Sequence, residues 1–127
     1  MARRPPASSD PPVLLHGDFW PGNVLFVNQT ISALIDWEDA MIGDPAVDLA
    51  NARLELLLLF GDDAAAHFTA EYRRLRPHVL LAALPFWDAA AALRFSAKVA
   101  GFRLDRATRQ RFDARLADFV ARTLNQL

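Results

Sequence analysis

The residue pattern changes at Gly43-Asp44-Pro45, and this change limits what the chain can fold into. Aspartate is a preferred helix N-cap and proline is favoured at the first helical position, so a helix is predicted to begin here. Before this point, short β-branched and aliphatic runs favour strands at Val13–Leu15, Val24–Val27 and Ile31–Ile35. The sequence therefore predicts an α+β fold that is mostly helical, with a short β-hairpin followed by about four helices.

Each predicted helix has a start or stop signal of its own, supplied by Asp, Gly or Pro. In the last predicted helix, apolar residues recur at three- and four-residue steps, as expected of a helix that buries one face. The predicted helices are Asp44 to Gly61, Asp62 to Arg76, Val79 to Ala100 with a break or restart near Pro85, and a last helix that opens at Asp105.

Length and composition indicate one folded domain. The chain has 127 residues, of which 53% are hydrophobic and 23% charged, so it is too apolar to remain unfolded. Residues 1–12 are predicted to be a flexible tail, and residues 13–127 a domain made of a loop and hairpin (13–43) and a helical part (44–127).

Charge and hydropathy exclude several classes of protein. The net charge is -1 and no overall basic field is present, so nucleic acid is not an expected partner. No apolar run approaches the roughly 20 residues of a membrane span. The first twelve residues lack the apolar core of a secretory signal and are short for a transit peptide, which predicts a cytoplasmic protein. The chain has no cysteine, so it has no disulfide and no thiolate metal site.

Three oxygen-bearing side chains stand close together in the sequence between His16 and Asp48: Asp18, Asn23 and Asp36. A hairpin that turns at Asn28-Gln29-Thr30 can bring Asp36 back beside Asn23. Phosphoryl transfer needs a carboxylate that orients the attacking hydroxyl, and oxygen ligands that hold Mg²⁺ on the phosphates. This set therefore predicts a phosphoryl-transfer site, although Asp18 taken singly is more typical of a turn or cap.

Three motifs in order carry a resemblance to a known family. They are His16-Gly17-Asp18 with Asn23, then Ile35-Asp36-Trp37-Glu38, then Gly43-Asp44-Pro45 with Asp48-Leu49-Ala50. In these motifs the chain resembles the aminoglycoside phosphotransferase and small-molecule kinase family, which has a protein-kinase-like fold. The resemblance is specific over residues 13–50 and covers only the C-terminal lobe of that fold.

The resemblance implies a role for each motif residue. Asp18 would be the catalytic base, and Asn23 and Asp36 the Mg²⁺ ligands. Glu38 would face the substrate. His16, Asp44 and Asp48 would support the site structurally, with Asp48 bonding back to the catalytic loop. The implied cofactor is Mg²⁺ with ATP or GTP, and the implied acceptor is a small hydroxylated molecule such as an aminoglycoside, as in antibiotic-resistance enzymes.

Features that this family uses to hold the nucleotide are not found in the sequence. There is no glycine-rich loop, and the only lysine is Lys98, far downstream of the motifs, so no nucleotide-binding lysine is assigned. We therefore expect a chain that is inactive or nearly so by itself. Apolar surface that the other lobe would cover predicts self-association, for example as a homodimer.

Other readings of the same residues stay open. The chain could be a non-catalytic remnant or a binding protein whose kinase residues only keep the fold. A metal-dependent phosphohydrolase that uses His16, Asp18 and Asp36 is a weaker alternative. A calcium loop beginning at Asp36 is excluded, because its sixth and twelfth positions are Met41 and Val47 instead of Gly and Glu.

Overall fold

The computed structural model describes residues 5–127 and confirms the predicted mostly helical α+β fold. Four short strands precede four helices, and a 3₁₀ turn at Pro21–Asn23 leads into the second strand. The strands are β1 (Val13–Leu15), β2 (Val24–Val27), β3 (Thr30–Leu34) and β4 (Met41–Gly43); the helices are α1 (Ala46–Phe60), α2 (Asp62–Leu75), α3 (Leu84–Val99) and α4 (Arg106–Leu124).

The strands form two separate antiparallel pairs. β2 and β3 make the predicted hairpin, with Val24 opposite Leu34, and its turn places Asn28 and Gln29 at positive φ. β1 pairs with β4, with Leu14 opposite Ile42. The sequence analysis missed β4, because a three-residue strand has too little pattern to detect and its partner is distant in the chain.

Helix α1 is the centre of the hydrophobic core and packs against the other three helices. Leu49, Leu54 and Leu58 are almost completely buried in it. The helix begins at Ala46, and the Asp44 carboxylate accepts a 2.8 Å hydrogen bond from the Ala46 backbone N–H, so Asp44 does cap the first turn. The helix ends at Phe60 and is followed by Gly61, whose φ of 101° suits glycine.

The predicted helix over Val79–Ala100 has its predicted restart near Pro85, but the part before Leu84 is not helical. α3 begins only at Leu84, and Pro85 lies in its first turn, where a missing N–H costs nothing. The preceding segment is not helical. Its backbone N–H groups at Leu80 and Leu81 donate hydrogen bonds to the Asp10 carboxylate, at 2.7 and 2.9 Å. Leu81 is buried at a φ of 57°. Such a long-range contact leaves no local signal in the sequence.

The same contact bears on the predicted flexible tail, residues 1–12. Residues 1–4 of that tail lie outside the described part of the chain. Within the described part, Asp10 is only 7% exposed and fastens the chain to the loop before α3. The domain boundary at residue 13 stays a prediction.

An ion pair ties α1 to α3 inside the helical part. The Arg53 guanidinium donates to both carboxylate oxygens of Asp88, at 3.2 and 3.1 Å, and also to the Thr69 hydroxyl on α2 at 2.6 Å. Burial raises the pKa of Asp88, and Arg53 offsets part of that rise. Over residues 5–127, none of the helices is both long and apolar enough to cross a membrane.

Candidate active site

The loop after β1 is fastened to the first turn of α1 by one side chain. The Asp48 carboxylate accepts hydrogen bonds from two successive backbone N–H groups, those of His16 (2.6 Å) and Gly17 (3.0 Å). Both bonds involve an ionised acceptor and are therefore stronger than neutral ones. The loop that holds Asp18 is thus positioned by the helix that forms the core.

His16 connects this loop to the segment after β3. Its ring is buried, with 3% exposure. Its Nδ1 accepts from the Asp18 backbone N–H at 3.2 Å, so its Nε2 carries the hydrogen and donates to the Ile35 carbonyl at 2.7 Å. The ring also packs on Trp37, with centroids 4.6 Å apart. One neutral imidazole therefore fixes the backbone beside both Asp18 and Asp36.

Gly17 allows the loop to pass close to the segment before β4. Its φ of 87° lies in the left-handed region, and a Cβ at this position would overlap the backbone carbonyl of Asp39. Only glycine satisfies both demands.

Asp18 and Asn23 are in direct contact. The Asn23 side-chain amide, in a residue that is 5% exposed, donates to the Asp18 backbone carbonyl at 2.8 Å and lies 3.4 Å from its Oδ2. These bonds use the amide nitrogen of Asn23, and no donor within residues 5–127 hydrogen-bonds to its amide oxygen. The other Asp18 oxygen, Oδ1, lies 3.1 Å from the ammonium of Lys98 on α3.

The hairpin brings the residue before Asp36 to the backbone of Asn23. The Ile35 N–H donates to the Asn23 carbonyl at 3.0 Å, so Asp36 follows directly after a residue bonded to Asn23. Asp36 is exposed and has a φ of 68°, a left-handed conformation that aspartate tolerates better than most residues. No contact between Asp36 and Asp18 side chains is found.

The site provides few metal ligands of its own. Within residues 5–127 there is no cluster of three or more His, Cys, Asp or Glu side chains that could hold a metal ion. An amide oxygen and a carboxylate nevertheless suit Mg²⁺, which is commonly bound through one or two carboxylates together with water and substrate phosphates. The pair Asn23 and Asp36 fits a metal of that kind and does not fit a closed structural site.

The two remaining predicted site residues lie at the edge of this arrangement. Glu38 is exposed in the turn that follows Trp37. Asp44 caps α1 through its hydrogen bond with the Ala46 N–H.

The sequence analysis missed a recess beside Asp18, formed between α1 and α3. Its polar residues come in two pairs with a spacing of four, so each pair lies on one helix face: Asn51 with Glu55, and Arg94 with Lys98. The four-residue spacing is visible in the sequence. Only the structure shows that the two helix faces meet at Asp18. The Arg94 guanidinium donates to the Gly17 carbonyl at 3.2 Å.

Glu55 has an unusual pKa in this recess. Burial raises it from 4.5 to about 7, while nearby Lys98 lowers it and nearby Asp18 raises it further. Asn51 has a side-chain nitrogen that is buried and finds no acceptor within the described residues. Perturbed or unpaired polar groups of this kind are concentrated at functional sites.

Together, the anchored Asp18 loop, the adjoining Asn23 and Asp36, and the helices beneath them define the catalytic-loop lobe of a kinase-like phosphotransferase. Comparison with known proteins agrees with this class. The model of the family described as "Phosphotransferase enzyme family" matches residues 1–78, more than half of the chain. The chain belongs to this family.

Individual relatives are kinases of small molecules by name. The chain is 36% identical over 91 residues to a homoserine kinase of Rhodospirillum rubrum, a match that covers 67% of the chain and 28% of that protein. It is 50% identical over 38 residues to a hygromycin-B 4-O-kinase of Escherichia coli, covering 30% of the chain and 11% of the relative.

A solved structure extends the likeness to the helical part. A crystal structure of a thermostable mutant of the aminoglycoside phosphotransferase APH(4)-Ia, in its apo form, matches 88% of the chain and 39% of that protein, with a TM-score of 0.53 and 27% identity. The predicted protein-kinase-like fold is thereby confirmed. The chain spans well under half the length of each of these three proteins.

Proposed function

We propose that the chain supplies the catalytic loop of a kinase that transfers the γ-phosphate of ATP, or of GTP, to a hydroxyl group of a small molecule such as an aminoglycoside. The contact of Asp18 with Asn23, on a loop anchored by Asp48, carries this proposal. The hydroxyl group of the substrate would donate a hydrogen bond to the Asp18 carboxylate. Asp18 would take the hydroxyl proton as the hydroxyl oxygen attacks phosphorus.

Asn23 and Asp36 would hold Mg²⁺ on the nucleotide phosphates. The metal would supply positive charge to the oxygens of the transferred group. His16 and Asp48 hold the backbone segments of Asp18 and Asp36 in place. This would lower the free-energy cost of bringing the reacting groups into position. Glu38 would face the acceptor from the rim, and the protein would act in the cytoplasm.

By itself the chain is proposed to be inactive or nearly so, because Lys98, its only lysine, is paired with Asp18 and therefore is not placed to grip a nucleotide. Apolar side chains on the β2–β3 hairpin are exposed, and we propose that they support a homodimer of the isolated chain. Phe26, Val27 and Ile31 each have 60% exposure.

The test is acceptor phosphorylation with Mg²⁺ and labelled ATP, using L-homoserine and hygromycin B. The 127-residue chain should transfer phosphate far below the roughly 1–100 s⁻¹ of ordinary kinases. The same chain, joined to the part of the Rhodospirillum rubrum kinase that it does not span, should phosphorylate an acceptor, and Asp18→Asn should abolish this. A folded chimera that binds ATP but transfers nothing would contradict the proposal and favour a non-catalytic protein.

A second assay distinguishes a phosphohydrolase from a kinase. A hydrolase would release phosphate from a phosphomonoester with Mg²⁺ or Mn²⁺ and would need no acceptor. We expect no such release above that of the Asp18→Asn variant.

A further inference from the structure

A second cavity lies where residues of all four helices meet, and it shares no lining residue with the recess beside Asp18. This four-helix cavity has an open volume of about 200 Å³, space for roughly seven water molecules at their volume in the liquid. Arg53 on α1, Asp62 on α2, Asp88 on α3 and Thr123 on α4 are among its lining residues. A ligand bound here would be separate from the phosphoryl-transfer site.

One wall of the four-helix cavity contains an ion pair with unused hydrogen-bonding capacity. Asp88 is only 4% exposed, and both of its carboxylate oxygens accept from the Arg53 guanidinium. A guanidinium has five N–H groups, and the bonds to Asp88 and Thr69 use three of those of Arg53. Within residues 5–127 the other two N–H groups have no acceptor. The pair can therefore hydrogen-bond to a ligand without separating.

Thr123 is a buried hydroxyl residue without a hydrogen bond. It is 4% exposed, and no partner for its hydroxyl is found among residues 5–127. The hydroxyls of Thr69 and Ser96, in contrast, donate to the carbonyls one turn earlier, at 2.7 and 2.9 Å. Thr123 also lines a groove between α3 and α4, but the other lining residues of that groove are apolar except Ser96. A polar partner for Thr123 therefore has room only in the four-helix cavity.

The charges that line the four-helix cavity are already paired. Arg53 is paired with Asp88, and Arg122 with Asp62 at 2.7 Å. Arg122 also contacts Asp118, which lies outside the lining and is 61% exposed, so solvent screens its charge. A charged ligand would bring a charge without a counter-ion next to a buried pair, which is costly. An uncharged ligand avoids this cost.

Apolar side chains form the remaining walls. Leu57, Ala65 and Phe119 line the cavity and are 3%, 6% and 5% exposed. The ligand must therefore present apolar C–H surface as well as groups that both donate and accept hydrogen bonds. Hydroxyl groups do both, and a ring that carries hydroxyls at its edge and C–H bonds on its faces meets the two requirements together.

We propose that the four-helix cavity binds an uncharged cyclic polyol of about the size of a monosaccharide. Arg53 and Thr123 hydrogen-bond to its hydroxyls, and Leu57 and Phe119 pack against its C–H faces. The inference goes beyond the phosphoryl transfer proposed above and does not depend on it.

The test is titration of the ¹⁵N,¹³C-labelled 127-residue chain with three matched sugars, followed by the NMR signals of the Thr123 methyl group and the Gln126 side-chain amide. D-Glucose is uncharged, D-glucuronate carries a carboxylate, and D-glucosamine carries an ammonium at a pH where its amine is protonated. D-Glucose should shift both signals. It should bind at least about fivefold more tightly than either charged sugar, because their charges would have no counter-ion in the cavity.

Variants at two positions of the lining locate the sugar. Thr123→Val keeps the shape of the side chain and removes its hydroxyl, so it should weaken D-glucose binding by about fivefold. Its control is Ser96→Ala, which removes a hydroxyl that is already bonded within α3 and should leave the affinity unchanged.

The second variant fills the cavity from an exposed position and does not disturb the core. Ala66 on α2 lines the cavity and is exposed, and alanine and leucine both suit a helix. Ala66→Leu should weaken D-glucose binding by about tenfold or more. Ala70→Leu, one turn further along α2 and outside the lining, is the matched control and should leave the affinity unchanged.

D-Glucose that shifts neither signal, or a charged sugar that binds as tightly as D-glucose, would overturn the inference. Binding that Thr123→Val and Ala66→Leu both leave unchanged would also overturn it, because the sugar would then lie elsewhere on the chain. Asp18→Asn should retain the affinity for D-glucose, and a loss of binding in this variant would move the sugar to the phosphoryl-transfer site.

Discussion

The loop from His16 to Asn23 and the β2–β3 hairpin are neighbours in the chain, but they are stabilised in opposite ways. The loop is polar and buried, with His16 and Asn23 no more than 5% exposed and their side chains hydrogen-bonded. The hairpin is apolar and exposed, with Phe26, Val27 and Ile31 each at 60%. The loop is therefore determined by contacts within the described chain, whereas the hairpin surface has its apolar side chains in solvent.

The loop and the hairpin therefore have different roles: the loop positions Asp18, and the hairpin provides the exposed apolar surface. The buried polar contacts position Asp18 whatever covers the hairpin, because Asp48 and His16 belong to the described part of the lobe. The exposed strands contribute little to that positioning beyond setting Asn23 opposite Ile35. Changes in the loop should therefore alter stability and geometry, and changes in the hairpin should alter association.

The largest effect is expected when the loop loses its anchor. Asp48→Ala removes the acceptor for the His16 and Gly17 amides and should lower the free energy of unfolding by about 3 kcal/mol. Urea denaturation measures this, and amide hydrogen exchange at both residues should become faster. Asp63→Ala, an exposed acid in the first turn of α2, is the control and should cost less than about 1 kcal/mol. Equal losses of unfolding free energy in Asp48→Ala and Asp63→Ala would show that the Asp48 hydrogen bonds do not stabilise the loop more than an ordinary surface acid does.

A smaller, pH-dependent effect is expected at Glu55. Its pKa is 4.5 when unperturbed and about 7 in the fold, so the folded state binds the proton more tightly and the penalty for ionisation grows as pH rises from 4.5 to 7. Glu55→Gln should raise the free energy of unfolding at pH 8 by about 1–2 kcal/mol, after allowance for screening by solvent. Near pH 4.5 the two proteins should be about equally stable.

Thermal or urea unfolding at several pH values tests this. A difference between the Glu55→Gln variant and the unmodified chain that stays constant from pH 4.5 to pH 8 would contradict the burial of an ionisable Glu55. The control is Glu71→Gln on α2, where hydrogen bonding to Arg74 lowers the pKa of Glu71, so the ionised form is the favoured one.

A substitution on the hairpin surface should change self-association of the chain and leave the structure of the loop unchanged. We expect Ile31→Thr to weaken self-association of the chain by about tenfold, or about 1.4 kcal/mol, because it removes apolar area while keeping a residue that suits a strand. Sedimentation equilibrium measures the change. Leu93→Thr on α3, with 75% exposure at the original residue, is the matched control. A chain that remains monomeric at high concentration would rule out the homodimer.

The smallest effect is expected at an exposed ion pair far from both regions in the sequence. Arg122 on α4 contacts Asp62 at 2.7 Å and Asp118 at 2.9 Å, and all three side chains are about half exposed or more. Arg122→Ala should lower stability by about 0.5 kcal/mol or less, and the difference should disappear at high salt. A loss that rivals that of Asp48→Ala would overturn the ranking.

Local signals in the sequence were sufficient for the loop that holds Asp18 and for most helix positions. Caps and breakers act on their own neighbours, so Asp44, Gly61 and Asp105 mark helix ends in the structure as they do in the sequence. The motif residues Asp18 and Asn23 lie five positions apart, and their contact is therefore also local.

Long-range contacts account for what the sequence could not supply. The start of α3 depends on Asp10, seventy residues away, and strand β4 depends on β1. The recess beside Asp18 forms because two helix faces converge on it, which no single segment encodes. Lys98, a lone lysine in a helical pattern, becomes meaningful only through its position against Asp18.

The most direct test of the phosphoryl-transfer site is titration of the ¹⁵N-labelled chain with Mn²⁺ and ATP, with paramagnetic broadening recorded residue by residue. The account predicts that broadening is centred on Asn23 and on residues 35–37, and that it is lost in Asp36→Ala and retained in Asp44→Ala. Broadening centred on the exposed acids Asp62 and Asp118, or broadening that Asp36→Ala leaves unchanged, would contradict the assignment.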